Sequence, residues 1–252
     1  MIPSELRKKA REALTGQWGK AALTMLLYTF VLAALNSVLQ LCAAGTLLYA
    51  LVYVGYMLLT IPLAYGFSIG FLKLKRKEDV ESTYFLTSVF SNFSTAWNIC
   101  IQVIVKMIVP IIGFFFICVL FVLLMVMKLY MTWLWAALWA VCCIAFLVYF
   151  VSRGLLYVLS NYVSFDNENL SAKECVDKSE ELMRGNRGNY FLLCLSFIGW
   201  FILGAFTCGI AYLLISPYLE VAVACFYDEL IGSNAKTVEG TNKIEEDKEE
   251  DK

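Results

Sequence analysis

The sequence predicts an all-α polytopic membrane bundle of about six transmembrane helices, with interfacial amphipathic helices and a parallel internal repeat. Three observations predict it. The 252 residues are 60% hydrophobic and 16% charged, with a mean hydropathy of +0.71, whereas soluble domains are about 45–50% apolar and about 25% charged. The apolar excess is gathered into runs of roughly 20 residues, the length at which a helix crosses a bilayer. Finally, the opening of the chain returns near its end. Glu12-Ala13-Leu14-Thr15-Gly16-Gln17-Trp18-Gly19 and Glu181-Leu182-Met183-Arg184-Gly185-Asn186-Arg187-Gly188 each lead into an apolar span. Each span is followed by a second apolar segment in which a phenylalanine lies nine residues after a proline, Pro62 with Phe71 and Pro217 with Phe226.

Residues 3–15 read as an amphipathic helix. Ser4 is placed to cap it, Leu6, Ala10, Ala13 and Leu14 form one stripe, and Arg7, Lys8, Arg11 and Glu12 face away. Gly16 stands where a helix stop needs positive φ. Such a helix either lies in the membrane interface or packs its stripe on the ends of the spans. Apolar spans follow at 21–41 and 47–72. In residues 79–98, Phe85, Val89, Phe90, Phe93 and Trp97 recur at helical spacing and open a central hairpin, about 79–162, with spans at 107–127 and 133–151. Ser171-Ala172-Lys173-Glu174 has the spacing of a capping box and starts the counterpart of the first helix. That copy is more acidic, so it favours packing on protein, and Gly185 ends it. Spans at 190–207 and 212–230 complete the bundle. The repeat units are thus about 4–72 and 171–230 within a membrane region 1–232. The tail, 233–252, holds seven acids and four lysines and cannot bury a core, which predicts disorder.

Six spans put both termini on one side, and the cations choose the side. Thirteen lysines and arginines lie in the arm before the first span and in the segments after the second and fourth, against Lys128 alone in the opposite loops. This positive-inside bias predicts cytoplasmic termini. The N-terminal region is long, contains Glu5 and Glu12, and is read as a retained anchor rather than a cleaved signal. The tryptophans suit interfacial belts, Trp18 and Trp97 on the inner side and Trp133, Trp135 and Trp139 on the outer.

The chemistry-bearing residues are few. The chain has no histidine and nine cysteines without a CxxC pair, so neither a metal site nor a cofactor is expected, and the commonest general base is missing. No Walker or HExxH motif occurs, and the expectation is a protein that is not an enzyme. Gly185-Asn186-Arg187-Gly188 has two glycines of a phosphate loop but follows a helix C-terminus, while anion sites use N-termini. Ionisable residues inside apolar segments are the better lead, because burying them is costly. Lys106 and Arg153 lie at span boundaries, where snorkelling accounts for them. Glu220 lies about 12 Å into the sixth span at 1.5 Å per residue. Ser216-Pro217 before it resembles an N-cap with proline at the first helical position, which implies a broken or kinked helix with Glu220 in its first turn. Glu220 then marks a polar pocket or a structural ion pair with Arg153 or Lys106.

The opening Ser4-Glu5-Leu6-Arg7 through Leu14-Thr15-Gly16-Gln17-Trp18-Gly19-Lys20, the middle Val89-Phe90-Ser91-Asn92-Phe93, and Phe197-Ile198-Gly199-Trp200 with Gly209-Ile210, Pro217-Tyr218 and Phe226-Tyr227 resemble the bacterial multi-pass membrane family called domain of unknown function 975. The likeness covers nearly all of the chain except the acidic tail. It implies a bacterial cytoplasmic-membrane protein of six or so helices and carries over no activity and no catalytic residues. The expected role is work through contacts with membrane lipid, a protein partner or a second copy of the chain, and not with nucleic acid. The alternative is a small-solute transporter or channel with Glu220 near its path.

Overall fold

The computed structural model describes residues 2–42, 44–126, 132–207 and 209–250, and of 124–126, 132–136 and 234–250 the backbone alone. Lys128 therefore lies outside the described residues, as do the side chains of Trp133 and Trp135. Every described element is helical. The chain forms two compact units, Met1–Trp97 with Gly188–Lys252, and Asn98–Arg187.

The first unit starts with α1, Pro3–Leu14. Pro3 opens the helix where a missing N–H costs nothing, so Ile2 is the cap residue and Ser4, expected as the cap, lies inside the first turn. Leu6, Ala10 and Leu14 are at most 1% exposed, and α1 packs on two later helices of this unit rather than lying free on lipid. Gly16 turns the chain at φ +84°, with the Gln17 amide donating to the Leu14 carbonyl at 2.9 Å. Two long helices follow, α2, Trp18–Leu41, and α3, Leu47–Lys75, the second capped by the Thr46 hydroxyl and running through Pro62 without ending. The outer parts of both expose apolar side chains such as Phe30, Leu41, Leu47 and Leu51. From Leu63 to Leu74, by contrast, α3 is largely buried. Its cover includes Tyr28 of α2, stacked on Phe67 at 4.1 Å, and Phe85 of α4, Tyr84–Ser91. α5, Phe93–Val126, begins in this unit, where the Trp97 indole N–H donates to the Leu58 carbonyl at 3.2 Å.

The repeat turn recurs at the end of the second unit, just before the chain re-enters the first at Gly188. Gly185 has φ +81° and the Asn186 amide donates to the Met183 carbonyl at 3.1 Å, the same local turn as at Gly16. The helix that follows differs from α2 by splitting. Ser196 and Phe197 interrupt it: the Ser196 hydroxyl bonds the Leu193 carbonyl at 2.6 Å, and the Phe197 amide reaches back only three residues, to Cys194.

α11, Tyr212–Glu250, is where the structure departs most from expectation. Pro217 lies inside the helix, not at its start. The start is set earlier by Gly209 at φ +88° and by the Thr207 hydroxyl, which accepts from the Ala211 amide at 3.1 Å. Glu220 therefore lies beyond the second turn of an unbroken helix. Val221, Ala222, Ala224, Phe226 and Tyr227 are fully buried, against α1, α2 and α3. The backbone stays helical through 233–250, where composition predicts disorder; alanine, lysine and glutamate favour helix by propensity without needing a core.

The second unit holds the rest of α5 and α6, Thr132–Gly154, then a 3₁₀ turn, Leu155–Tyr157, α7, Ser160–Asp166, and α8, Ala172–Met183. Phe114 stacks on Phe146 at 3.9 Å and Phe121 on Trp139 at 4.2 Å, tying α5 to α6. The expected capping box is formed, with the Ser171 hydroxyl accepting from the Glu174 amide and the Glu174 carboxylate accepting from the Ser171 amide. Cys175, Val176, Ser179, Leu182 and Met183 form the buried stripe of α8. α9, Arg187–Leu195, and α10, Ile198–Phe206, are the split pair described above.

Among the described residues, five stretches are long and apolar enough to cross a membrane: Trp18–Leu41, Leu47–Lys75, Phe93–Leu123, Ala137–Asp166 and Arg187–Phe206. The sixth expected span, 212–230, is helical but is not among them, because Glu220, Asp228 and Glu229 lower its apolarity.

The contact of α3 with α4 depends on Gly66. A Cβ there would stand 1.7 Å from Ser88 Oγ and 3.1 Å from Phe85 Cα. Gly66→Ala is expected to lower stability by about 1–3 kcal/mol through overpacking, read as a lower melting temperature of the detergent-solubilised protein. Adding Ser88→Ala, which removes the nearest atom, should recover part of the loss.

Candidate functional site

Polar chemistry gathers at several places among the described residues, and the first takes in two of the residues singled out in the sequence. In the second unit, Lys106 of α5 and Arg153 of α6 both turn to α8. Lys106 donates to Glu180 at 2.8 Å and also pairs with Asp177; Arg153 stands 3.9 Å from Glu180 and Arg184 3.2 Å. Glu180 is thus a hub for three cations, with its side chain only 14% exposed. The hydrogen bond from Lys106 is the chief cause that holds its carboxyl below the ordinary carboxylate value, against the opposing effect of burial. The Ser179 hydroxyl, also buried, donates to the Leu156 carbonyl at 2.8 Å. This is a structural network. Glu180 escaped the sequence reading because an acid in an amphipathic helix looks solvated until two other helices bring cations to it.

Glu220 belongs to the first unit. It lies within electrostatic range of the hydroxyls of Tyr28 and Tyr190 and of the Cys194 thiol. Its surroundings there are hydrogen-bonding groups from α2 and α9, while Lys106 and Arg153 are committed to the acids of α8. At the end of the apolar part of α11, Asp228 accepts from Arg76 at 2.9 Å and pairs with Lys75, and Glu229 pairs with Lys9 of α1.

A further place is a pocket in the first unit with a volume of about 490 Å³, inside the range of about 300–1,000 Å³ for small-molecule sites. α1 contributes Arg7 and Arg11, one turn apart on one face. Trp18 comes from the start of α2, Trp200 from α10, and Leu214, Ile215 and Tyr218 from α11. Trp200 and Leu214 are 46% and 50% exposed, so the apolar wall opens outward. Tyr218 anchors the other side: its ring lies 6.1 Å from Trp18 and 4.9 Å from Phe197, and its hydroxyl donates to the Arg7 carbonyl at 3.0 Å. The Arg7 guanidinium reaches the Ser196 carbonyl at 3.4 Å, and its Nε is buried without a hydrogen-bond partner among the described residues. The split between α9 and α10 supplies that free carbonyl. Sequence reading placed Arg7 and Arg11 on a solvated face; only the crossing of α1 over α11 brings them beside aromatic rings.

Among the described residues, no group of three or more histidine, cysteine, aspartate or glutamate side chains has the arrangement of a metal site. The family described as "Protein of unknown function (DUF975)" matches residues 1–234. No curated protein and no solved structure matches the chain.

Glu180→Gln is expected to lower stability by about 1–3 kcal/mol at neutral pH, since it leaves three cations short of a carboxylate. The folded-state value lies below the ordinary 4.5, so the contribution is full above about pH 5 and is lost as pH falls through the folded value. Melting curves of both proteins should therefore differ at pH 7 and converge as the pH falls through the folded-state value of Glu180, which lies below 4.5.

Proposed function

Because this chain belongs to the DUF975 family, whose description assigns no activity, its role has to be read from its own residues, and we propose that it is a multi-pass protein of the bacterial cytoplasmic membrane that works by holding a membrane amphiphile. The observation that carries this reading is the pocket beneath α1. It combines an apolar wall open to the surroundings, Trp200 and Leu214, with tryptophan, tyrosine and arginine side chains at one end. That gradient from apolar to aromatic to cationic is the profile of a bilayer from acyl chain to headgroup. The reading needs no catalytic base and no cofactor.

The topology proposed with it has six passes and both termini in the cytoplasm. α11 serves as the central pass. A helix walled by protein needs less apolar surface than one facing lipid, and Val221 to Tyr227 are buried within the unit. Lys9 paired with Glu229, and Lys75 and Arg76 with Asp228, support a common side for α1, the end of α3 and the end of this pass. The excess of lysine and arginine in those segments supports the cytoplasmic side. A second reading, a small-solute transporter or channel with Glu220 near the path, is favoured by the hydroxyl and thiol neighbours of that acid. It predicts that Glu220→Gln abolishes solute flux into vesicles while leaving the fold intact.

Filling the pocket tests the main reading. Leu214 is half exposed, so Leu214→Trp can occupy the space without strain in the core. Native mass spectrometry of protein released from its membrane should find a lipid on the original chain and lose it in Leu214→Trp, with the melting temperature unchanged. No bound lipid on the original chain would overturn the reading. A reporter fused after residue 252 should be active in the cytoplasm, and activity outside would overturn the six-pass topology.

A further inference from the structure

Two guanidinium groups in one pocket need an explanation that the rest of the bundle does not supply. Like charges one turn apart on a helix repel, and a partly buried cation is stable when paired. Several cations of the protein are paired in this way. Lys106, Arg153 and Arg184 converge on Glu180, Lys75 and Arg76 on Asp228, and Lys9 on Glu229. Arg7 and Arg11 share one pocket, and among the described residues no carboxylate forms an ion pair with either. Arg7 has a carbonyl contact at 3.4 Å and a buried Nε with no partner.

Resting on the reading of this pocket as an amphiphile site, we propose that its occupant is an anionic phospholipid whose phosphate is bound between Arg7 and Arg11, with an acyl chain along Trp200 and Leu214. The charge complementarity is direct. Arginine presents a planar fork of donors that matches phosphate oxygens, and two such groups at one turn's spacing can share one anion. Trp18 and Tyr218 line the pocket together with the two arginines, and Trp200 and Leu214 give it an exposed apolar wall. A zwitterionic lipid would bring its own cation to a site already holding two, and a free phosphate would leave the apolar wall empty.

The test uses the full chain in nanodiscs made with equal parts of phosphatidylglycerol and phosphatidylcholine, and native mass spectrometry to identify retained lipid. The expected result is one retained phosphatidylglycerol, preferred over phosphatidylcholine by at least about tenfold, the equivalent of one charge-assisted contact. Arg7→Gln with Arg11→Gln should abolish the preference, and Arg7→Lys with Arg11→Lys should keep part of it. Glycerol 3-phosphate, a headgroup without chains, should fail to displace the lipid. Retention of both lipids equally would overturn the anionic headgroup while leaving an amphiphile site. Retention of neither would overturn the underlying site. Displacement by glycerol 3-phosphate would make a soluble phosphate compound the ligand. Should the double glutamine variant not fold, Leu214→Trp reports independently, since it must lose phosphatidylglycerol with both arginines in place.

Discussion

Burial of the α1 stripe on α11 is the contact on which the first unit depends. Leu6, Ala10 and Leu14 are almost fully buried where α1 packs on α11 and α3, and at roughly 25 cal/mol per Å² of apolar surface such burial outweighs the helix's own weak tendency to form. A 12-residue helix rich in lysine and arginine would be marginal alone. Docked, it is held by the Tyr218 hydroxyl on the Arg7 carbonyl and by Lys9 on Glu229. The same docking turns Arg7 and Arg11 toward Trp18 and Tyr218. The pocket is thus a by-product of how the amphipathic helix is held, and its charge cannot be separated from the fold.

The two copies of the repeat solve one geometric problem with opposite electrostatics. Both end an amphipathic helix on a glycine at φ just above +80° and launch an apolar helix from the turn. In the later copy, α8 carries acids, and Glu180 and Asp177 neutralise the cations that reach it. In the first copy, α1 carries cations, and two of them are left facing a pocket. The two copies thus differ in charge while sharing the helix, the glycine turn and the apolar helix that follows.

Local chemistry was legible in the sequence, and tertiary chemistry was not. The glycine stops, the Ser171 capping box, the Leu6, Ala10 and Leu14 stripe and most of the apolar spans follow from residue type and spacing, and the structure bears them out. The Ser4 cap failed because Pro3 could start the helix two residues earlier, with Ile2 as the cap residue. The break at Pro217 failed because Thr207 and Gly209 start α11 upstream, while the break that does exist, at Ser196, has no proline to announce it. Lys106 and Arg153 were noticed as cations at span ends, but their partner Glu180 is 74 residues from Lys106 in sequence. The pocket drew side chains from four helices, including two arginines that a helical wheel assigns to solvent.

Native-state hydrogen exchange in nanodiscs tests most directly whether α1 is an integral part of the bundle. If α1 is docked as described, the amides of residues 6–14 exchange in the same cooperative step as those of 221–230 when denaturant is raised, since opening one exposes the other. Exchange of 6–14 at a faster, independent rate while 221–230 stay protected would make α1 a helix laid on the membrane surface, and would remove the wall that brings Arg7 and Arg11 to the pocket.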